Sequence, residues 1–345
     1  MIRLYFIIFC LLFLSCKKAS ESTGPSNPII NLVEVGYYDT PGIAYDVYVS
    51  GQYAYVADGK QGLRIIDISN PSNPREVGFF KTLYTARGVY VSGQYAYVAY
   101  GDVGWTWAHG GLYIIDISNP SNPVRVGYVD VGNEGHDVYI SGKYAYVANW
   151  YRGFRIIDIS EPSNPKEVGH YGTYQATSVY VSGQYAYVGD GYESLGEEDW
   201  GRLHIIDISN PSNPVKVGNY DTSYRIWGVY VSGQHAYVVS GGAGLIWTGG
   251  GLHIIDISNP SNPVKVGLYP TNWSWDVYVS GQYAYVASKT GLHKIDISEP
   301  SKPKEVGYYR IPYGTPGEAY GVYVSGQYAY VAYGEAGLRI IKISD

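Results

Sequence analysis

The amino-acid sequence predicts an all-β protein: a seven-bladed β-propeller with four antiparallel strands per blade, its ring closed by the N-terminal strand completing the last blade. Three observations predict it. The string V-Y-[VI]-S-G-[QK]-[YH]-A-Y-V begins seven times, at Val47, Val89, Val138, Val179, Val229, Val277 and Val322. Successive starts lie 42, 49, 41, 50, 48 and 45 residues apart, the length of a four-stranded blade and well above a β-helix repeat. Each string is followed by a variable stretch and a G-[LF]-x-[IK]-I-D-I-S segment or near copy, which in every copy but the last runs into an N/E-P-S-N/K-P turn.

In chain order, residues 1–15 read as a signal peptide. Arg3 supplies the positive start, and Leu4 to Leu14 is an apolar run too short to cross a bilayer as a helix. Ser15-Cys16 places a small residue before cysteine, so cleavage is expected before Cys16, which would carry the lipid. Cys10 would leave with the peptide, and no disulfide is expected. Residues 16–28 are polar and Ser/Pro-containing, a tether with a reach of roughly 20 Å. Residues 29–345 are the propeller. These features imply an extracytoplasmic, lipid-anchored location at a bacterial envelope, in the outer membrane or at the cell surface.

Within a copy every segment reads as strand. Val47 to Val49 and Tyr53 to Val56 are β-branched and aromatic runs joined by Ser50-Gly51-Gln52, a hairpin. Leu63 to Ile68 is the third strand; the Asn70-Pro71-Ser72-Asn73-Pro74 turn ends it, and Glu76-Val77-Gly78 begins the fourth. We label these A to D from the axis outward. The last copy stops without the turn and the fourth strand, while residues 32–38 carry that strand's pattern. They are expected to pair with Leu338 to Ile343 and so remove two open sheet edges.

At 46% hydrophobic and 16% charged residues, with a net charge of −6, the chain can bury a large core. It has no Lys/Arg run beyond Lys17-Lys18, which excludes nucleic acid as a partner. A monomer without cofactors is expected.

The strings LRIIDIS, LYIIDIS, FRIIDIS and LHIIDIS, with the flanking S-G-x-Y-A-Y-V-A and N-P-S-N-P, resemble LVIVD repeats of bacterial and archaeal cell-surface proteins. The resemblance covers residues 25–345. It implies a propeller outside the cytoplasm and no shared activity or catalytic residues. Two positions depart from the pattern: Lys294 stands where an apolar residue is usual, and Lys342 where aspartate is.

The copies differ in their B-to-C and D-to-A connections, which emerge on one face of the ring. All eight tryptophans lie there: Trp105, Trp107, Trp150, Trp200 and Trp247 in B-to-C loops, Trp227, Trp273 and Trp275 in D-to-A loops. Such rings either pack over one another or present broad faces for stacking on a glycan or protein. The two residues before each first strand form a second set, including Tyr45, Arg87, His136, Trp227, Trp275 and Tyr320 with Asp46, Asp137 and Asp276. They are expected to rim the channel mouth as the pocket of the molecule. The three aspartates alternatively bond backbone amides where the strands begin.

Other candidates point to structure. Asp67, Asp116, Asp158, Asp207, Asp256 and Asp296 precede the Asn-Pro turns and read as caps. His204, His253 and His293 sit in separate blades, too far apart for one zinc ion. Asp190, Glu193, Glu197, Glu198 and Asp199 offer oxygen atoms for calcium, at a spacing that favours a solvated charge cluster instead. The repeated tyrosines suit packing between blades. Three function classes follow. They are a binding or adhesion module for a glycan or an envelope or extracellular protein, an extracytoplasmic hydrolase or lyase at the channel mouth, and a structural scaffold.

Overall fold

A computed structural model describes residues 29–101, 109–192, 200–241, 250–271, 273–312 and 314–344. Each copy folds into one four-stranded antiparallel sheet. In blade 1 the order is Asp46–Ser50, Tyr53–Ala57, Leu63–Asp67 and Arg75–Phe80, and blades 2 to 6 repeat it. The first strands touch one another around the whole ring, which places them at the axis. The leucine- and isoleucine-rich third strand and the alanine-valine second strand are buried on both faces. Val56, Ala57, Leu63, Ile65 and Ile66 have no exposed surface, because each sheet is covered by a neighbour on either side. The core is accordingly divided into seven apolar clusters, one at each joint between adjacent blades.

Blade 7 consists of Gly321–Ser325, Tyr328–Ala332, Leu338–Lys342 and, as its outermost strand, Val33–Tyr38. Val33 lies opposite Lys342 and Tyr38 opposite Leu338, the closure expected from the sequence. A clasp that the repeat pattern does not announce is added beside it. Ile30–Asn31 runs parallel to Lys304–Arg310 of blade 6, so the same N-terminal segment grips two blades.

The fourth strand explains its own glycine. A Cβ built on Gly218 would stand 2.0 Å from the carbonyl oxygen of Pro260, in the Asn-Pro turn of the next blade. The same approach recurs at Gly36, Gly78, Gly127, Gly169 and Gly267. At the joint of blades 6 and 7, Gly307 faces Leu32 instead of a proline turn. There the departure at Lys294 finds its reason: its ammonium donates to the Ile343 carbonyl at 2.7 Å and lies over the Tyr283 ring.

The turn aspartates act as the sequence suggests. Asp67, Asp116, Asp158, Asp207, Asp256 and Asp296 each accept the amide of the serine two residues on, at 2.8–2.9 Å. The tyrosines divide their work. Tyr53 accepts a bond from the Gln52 amide at the exposed edge, and Tyr55 is buried between blades. The first tyrosine of each copy does something the pairwise pattern does not reveal. Tyr48, Tyr90, Tyr139, Tyr180, Tyr230, Tyr278 and Tyr323 form a closed circle of ring contacts with centroids 4.7–5.1 Å apart.

Candidate functional site

Strands of alternating direction put the Ser-Gly and Asn-Pro turns on one end of the ring and the variable loops on the other. At that second end, above the circle of tyrosines, a cavity of about 800 Å³ opens on the axis. Its size suits a small-molecule site. The expected rim residues Tyr45, Arg87, His136, Trp227, Trp275 and Tyr320 all line it, with Asp46, Asp137 and Asp276. Two further wall residues, Glu134 and Trp150, come from loops outside that rim set.

The wall is a circuit of contacts. His136 stacks on Trp150 with centroids 4.3 Å apart and planes 12° from parallel. Trp150 neighbours Trp227 at 6.4 Å, and Trp227 meets Trp275 edge-on at 4.7 Å. Trp275 contacts Tyr320 at 5.4 Å, and Tyr320 contacts Tyr45 at 5.5 Å. The Arg87 guanidinium lies 4.6 Å over Tyr45 and pairs with Glu134, whose other oxygen is 3.6 Å from His136 Nε2. The indoles are held from behind. Trp227 donates to the Gly241 carbonyl at 3.2 Å and Trp275 to Glu318 at 3.0 Å, so both N–H groups are bonded within the protein while the rings line the cavity.

Trp150 occupies the sector of blade 4, where the local residue is the small Thr177. Backbone bonds in both directions between Trp150 and Ala176, each 3.1 Å, pin it there. Its φ of +34° is a conformation that a bulky residue rarely adopts, and its indole N–H is buried without a hydrogen-bond partner. Arg225 lies over both Trp150 and Trp227, at 4.9 and 5.0 Å, and bonds Gln175.

The floor is built from three aspartates. One oxygen of Asp46 accepts the Val47 amide at 2.7 Å and the other the Val89 amide of blade 2 at 2.8 Å. Asp137 bonds Val138 and, across the joint, Val179 and the Ser178 hydroxyl. Asp276 bonds Val277 and, in blade 7, Val322. The expected local amide bond is present in each, and the second oxygen staples the blade to its neighbour. Where a joint has glycine instead, the backbones close up: a Cβ on Gly321 would meet the Asp46 Cα at 2.9 Å.

Burial pushes the Asp46 carboxyl up to about 7, helped by repulsion from Asp137. Burial raises Asp137 as well, and burial with repulsion from Asp46 raises Asp276 well above the usual range. Burial also raises Glu134, but His136 and Arg87 outweigh it and hold that carboxyl low. Burial lowers the His136 imidazole against the pull of Glu134, which leaves it neutral near pH 7.

Not every candidate reaches the cavity. Trp273 lies behind Trp275 at 5.8 Å, with the Lys289 ammonium over its ring. Trp200 stands apart in an outer cluster, 6.1 Å from Tyr174. Trp105, Trp107 and Trp247 lie outside the described residues, as do Cys16 and the acidic Glu193, Glu197, Glu198 and Asp199. Asp190 is buried and holds the Tyr174, Gln175 and Gly191 amides, with His204 at 3.2 Å. Both its oxygens are thus engaged by protein donors. His253 bonds Ser240, and His293 bonds Ser288 and Glu305. Among the described residues no group of acidic, histidine or cysteine side chains is arranged to hold a metal.

A family model described as LVIVD repeat matches residues 41–82, 85–131, 133–173, 175–222, 225–271, 273–310 and 316–345. No curated protein matches significantly in sequence. Solved structures match in shape. Hydrazine synthase of Kuenenia stuttgartiensis has a TM-score of 0.68 at 15% identity, over 89% of this chain and 97% of that one. The WD40 β-propeller domain of Doa1 scores 0.66 at 8% identity, over 92% and 98%. The Cps50 (Swd1) β-propeller domain of Myceliophteria thermophila scores 0.64 at 14% identity, over 92% and 100%. At such identities the likeness concerns the fold alone.

Proposed function

The chain belongs to the LVIVD-repeat family, and from that premise we propose that it is an envelope-anchored binding protein that holds a glycan in its aromatic-walled mouth. The observation that carries this reading is the circuit from His136 through Trp150, Trp227, Trp275 and Tyr320 to Tyr45 around one cavity. Flat rings fixed from behind present wide apolar faces to the ligand without losing rotamer freedom on binding. Sugar rings, apolar on their C–H faces and rich in hydroxyls at their edges, fit such walls above a carboxylate floor. The lipid on Cys16 and the 16–28 tether would hold the propeller, as a monomer, at the membrane surface.

Against the acid–base alternative stands the use of the carboxylates. Asp46, Asp137 and Asp276 each have both oxygens bonded to strand amides, and among the described residues none of the three bonds His136, whose Nε2 lies 3.6 Å from Glu134 instead. A purely structural scaffold has no need of an open cavity. The test is a glycan array probed with the purified chain, followed by Trp227→Ala and Trp275→Ala. Each variant is expected to lose at least tenfold in affinity for the array hits, about 1.4 kcal/mol, while keeping its circular dichroism. An empty array, or hits bound undiminished by both variants, would overturn the reading.

A further inference from the structure

We infer that the mouth selects a ligand bearing an ammonium group, which within the glycan reading means an amino sugar with a free amine. The inference rests on that reading for the sugar and on the cavity's own charge balance for the amine.

The acidic groups of the lining outnumber its cations. Arg87 is matched by Glu134, and His136 is neutral near pH 7. The carboxylates of Asp46, Asp137 and Asp276 have no cationic partner among the lining residues. Each of their oxygens takes a backbone amide, which leaves further lone pairs for a donor in the cavity. These three groups feel one another's charge, and a positive group placed between them relieves that repulsion.

The walls favour the same sign. Because the N–H groups of Trp227 and Trp275 are bonded to Gly241 and Glu318, these two aromatic rings line the cavity without a free donor to offer an anion. Aromatic faces carry negative potential and attract cations, most strongly where water is displaced. Arg87 over Tyr45 and Arg225 over Trp150 and Trp227 show this chain using that attraction around the same rim. An anionic ligand would meet a floor of acidic groups whose raised carboxyls it would push further toward the acid, and one guanidinium already paired with Glu134. A neutral sugar would stack and leave the floor unanswered.

The experiment compares three tetrasaccharides of the same β-1,4 linkage by calorimetry on the full chain: fully deacetylated chitotetraose, N-acetylated chitotetraose and cellotetraose. Choline serves as a sugar-free cation. The inference expects the deacetylated tetramer to bind at least tenfold tighter than the other two, and choline to compete with it. With choline, whose charge does not titrate, it further expects proton release near pH 7, read as a heat that depends on the buffer, because a bound cation draws the raised carboxyls toward ionisation. Asp276→Asn should weaken the amine ligand and leave cellotetraose unaffected. If that variant fails to fold, the ligand series on the native chain decides alone. Equal or tighter binding of cellotetraose or the acetylated tetramer overturns the ammonium inference and leaves the glycan reading standing. Choline binding with no sugar bound sinks the glycan reading and supports the cation. Binding of none of the four overturns both.

Discussion

Asp46 carries two duties that pull its protonation in opposite directions. As a staple it accepts amides from two blades, which favours the carboxylate. As part of the floor it is shielded from water and repelled by Asp137, which favours the acid and wins, taking the carboxyl up to about 7. A carboxyl raised by folding stabilises the fold below its unfolded value, and this contribution is lost as pH rises through the folded value. The melting temperature is therefore expected to fall from about pH 4, the unfolded value, to about pH 7, the folded one. The Asp46 part is on the order of 1–2 kcal/mol after allowance for solvent, or about 2–4 °C in a domain of this size. Asp46→Asn should flatten that slope, and an unchanged slope in the variant would remove Asp46 as its cause. The turn aspartates have the opposite sign. Serine bonds hold Asp67, Asp116, Asp158, Asp207 and Asp256 below the usual range, so their contribution is lost only as pH falls below it. Stability should accordingly peak in mild acid, which a melt series across pH will show.

The strand is the scale at which repetition constrains most. Six fourth-strand glycines lie against a proline carbonyl of the next blade, so a single methyl there strains a joint rather than a surface. Gly218→Ala is expected to cost about 1–3 kcal/mol, as overpacking does, while Gly172→Ala, with open space around its Cβ, should be close to neutral. Similar melting temperatures for the two would contradict the close docking. Closure is the second constraint. A chain starting at Asp39 would lack both the Val33–Tyr38 strand of blade 7 and the Ile30–Asn31 clasp on blade 6. It would expose the edges of two sheets and the Gly307 face that Leu32 covers. Such a chain is expected to lose cooperative unfolding in thermal melts; a sharp transition near that of the full chain would show that closure contributes little. Strand order and turn capping were legible because each is written seven or six times, and closure because the last copy lacks the strand whose pattern residues 32–38 carry. The clasp was not, because a parallel pair of two residues has no repeat to announce it. The mouth was legible as positions, since the residues before each first strand are the ones that change. Trp150 was legible as a residue of this face but not as a wall of the cavity, and Glu134 was not legible at all, because it lies two residues before the positions that rim the mouth. Their placement depends on neighbours in other blades, such as Thr177 being small enough to leave room, and spacing along the chain does not encode this.

Seen as a whole, the ring is uniform on one end and individual on the other, and function should follow that polarity. The uniform end consists of exposed Ser-Gly hairpin turns and Asn-Pro turns whose bonds are nearly identical from blade to blade. The copies differ there at few positions, such as Glu161 and Glu299 in place of asparagine and Lys143 in place of glutamine. The other end holds the cavity, its floor and wall, and an outward aromatic extension in which Tyr151 and Tyr174, both about half exposed, meet edge to face at 6.2 Å. The two ends are separated by the circle of seven tyrosines, so a ligand seated at the mouth is reached from one side. The only cysteines of the chain, Cys10 and Cys16, can be replaced by serine to allow a single new attachment point. A chain captured on a solid support through Gln94→Cys, in an exposed Ser-Gly turn, is expected to bind array-identified ligands as well as the free chain does. Captured through Tyr151→Cys, beside Trp150 on the individual end, the same protein should lose most of its binding because the support covers the mouth. Surface plasmon resonance on the two orientations gives the comparison directly. Equal capacity in both, or loss only through Gln94, would mean that the recognition surface lies away from the mouth.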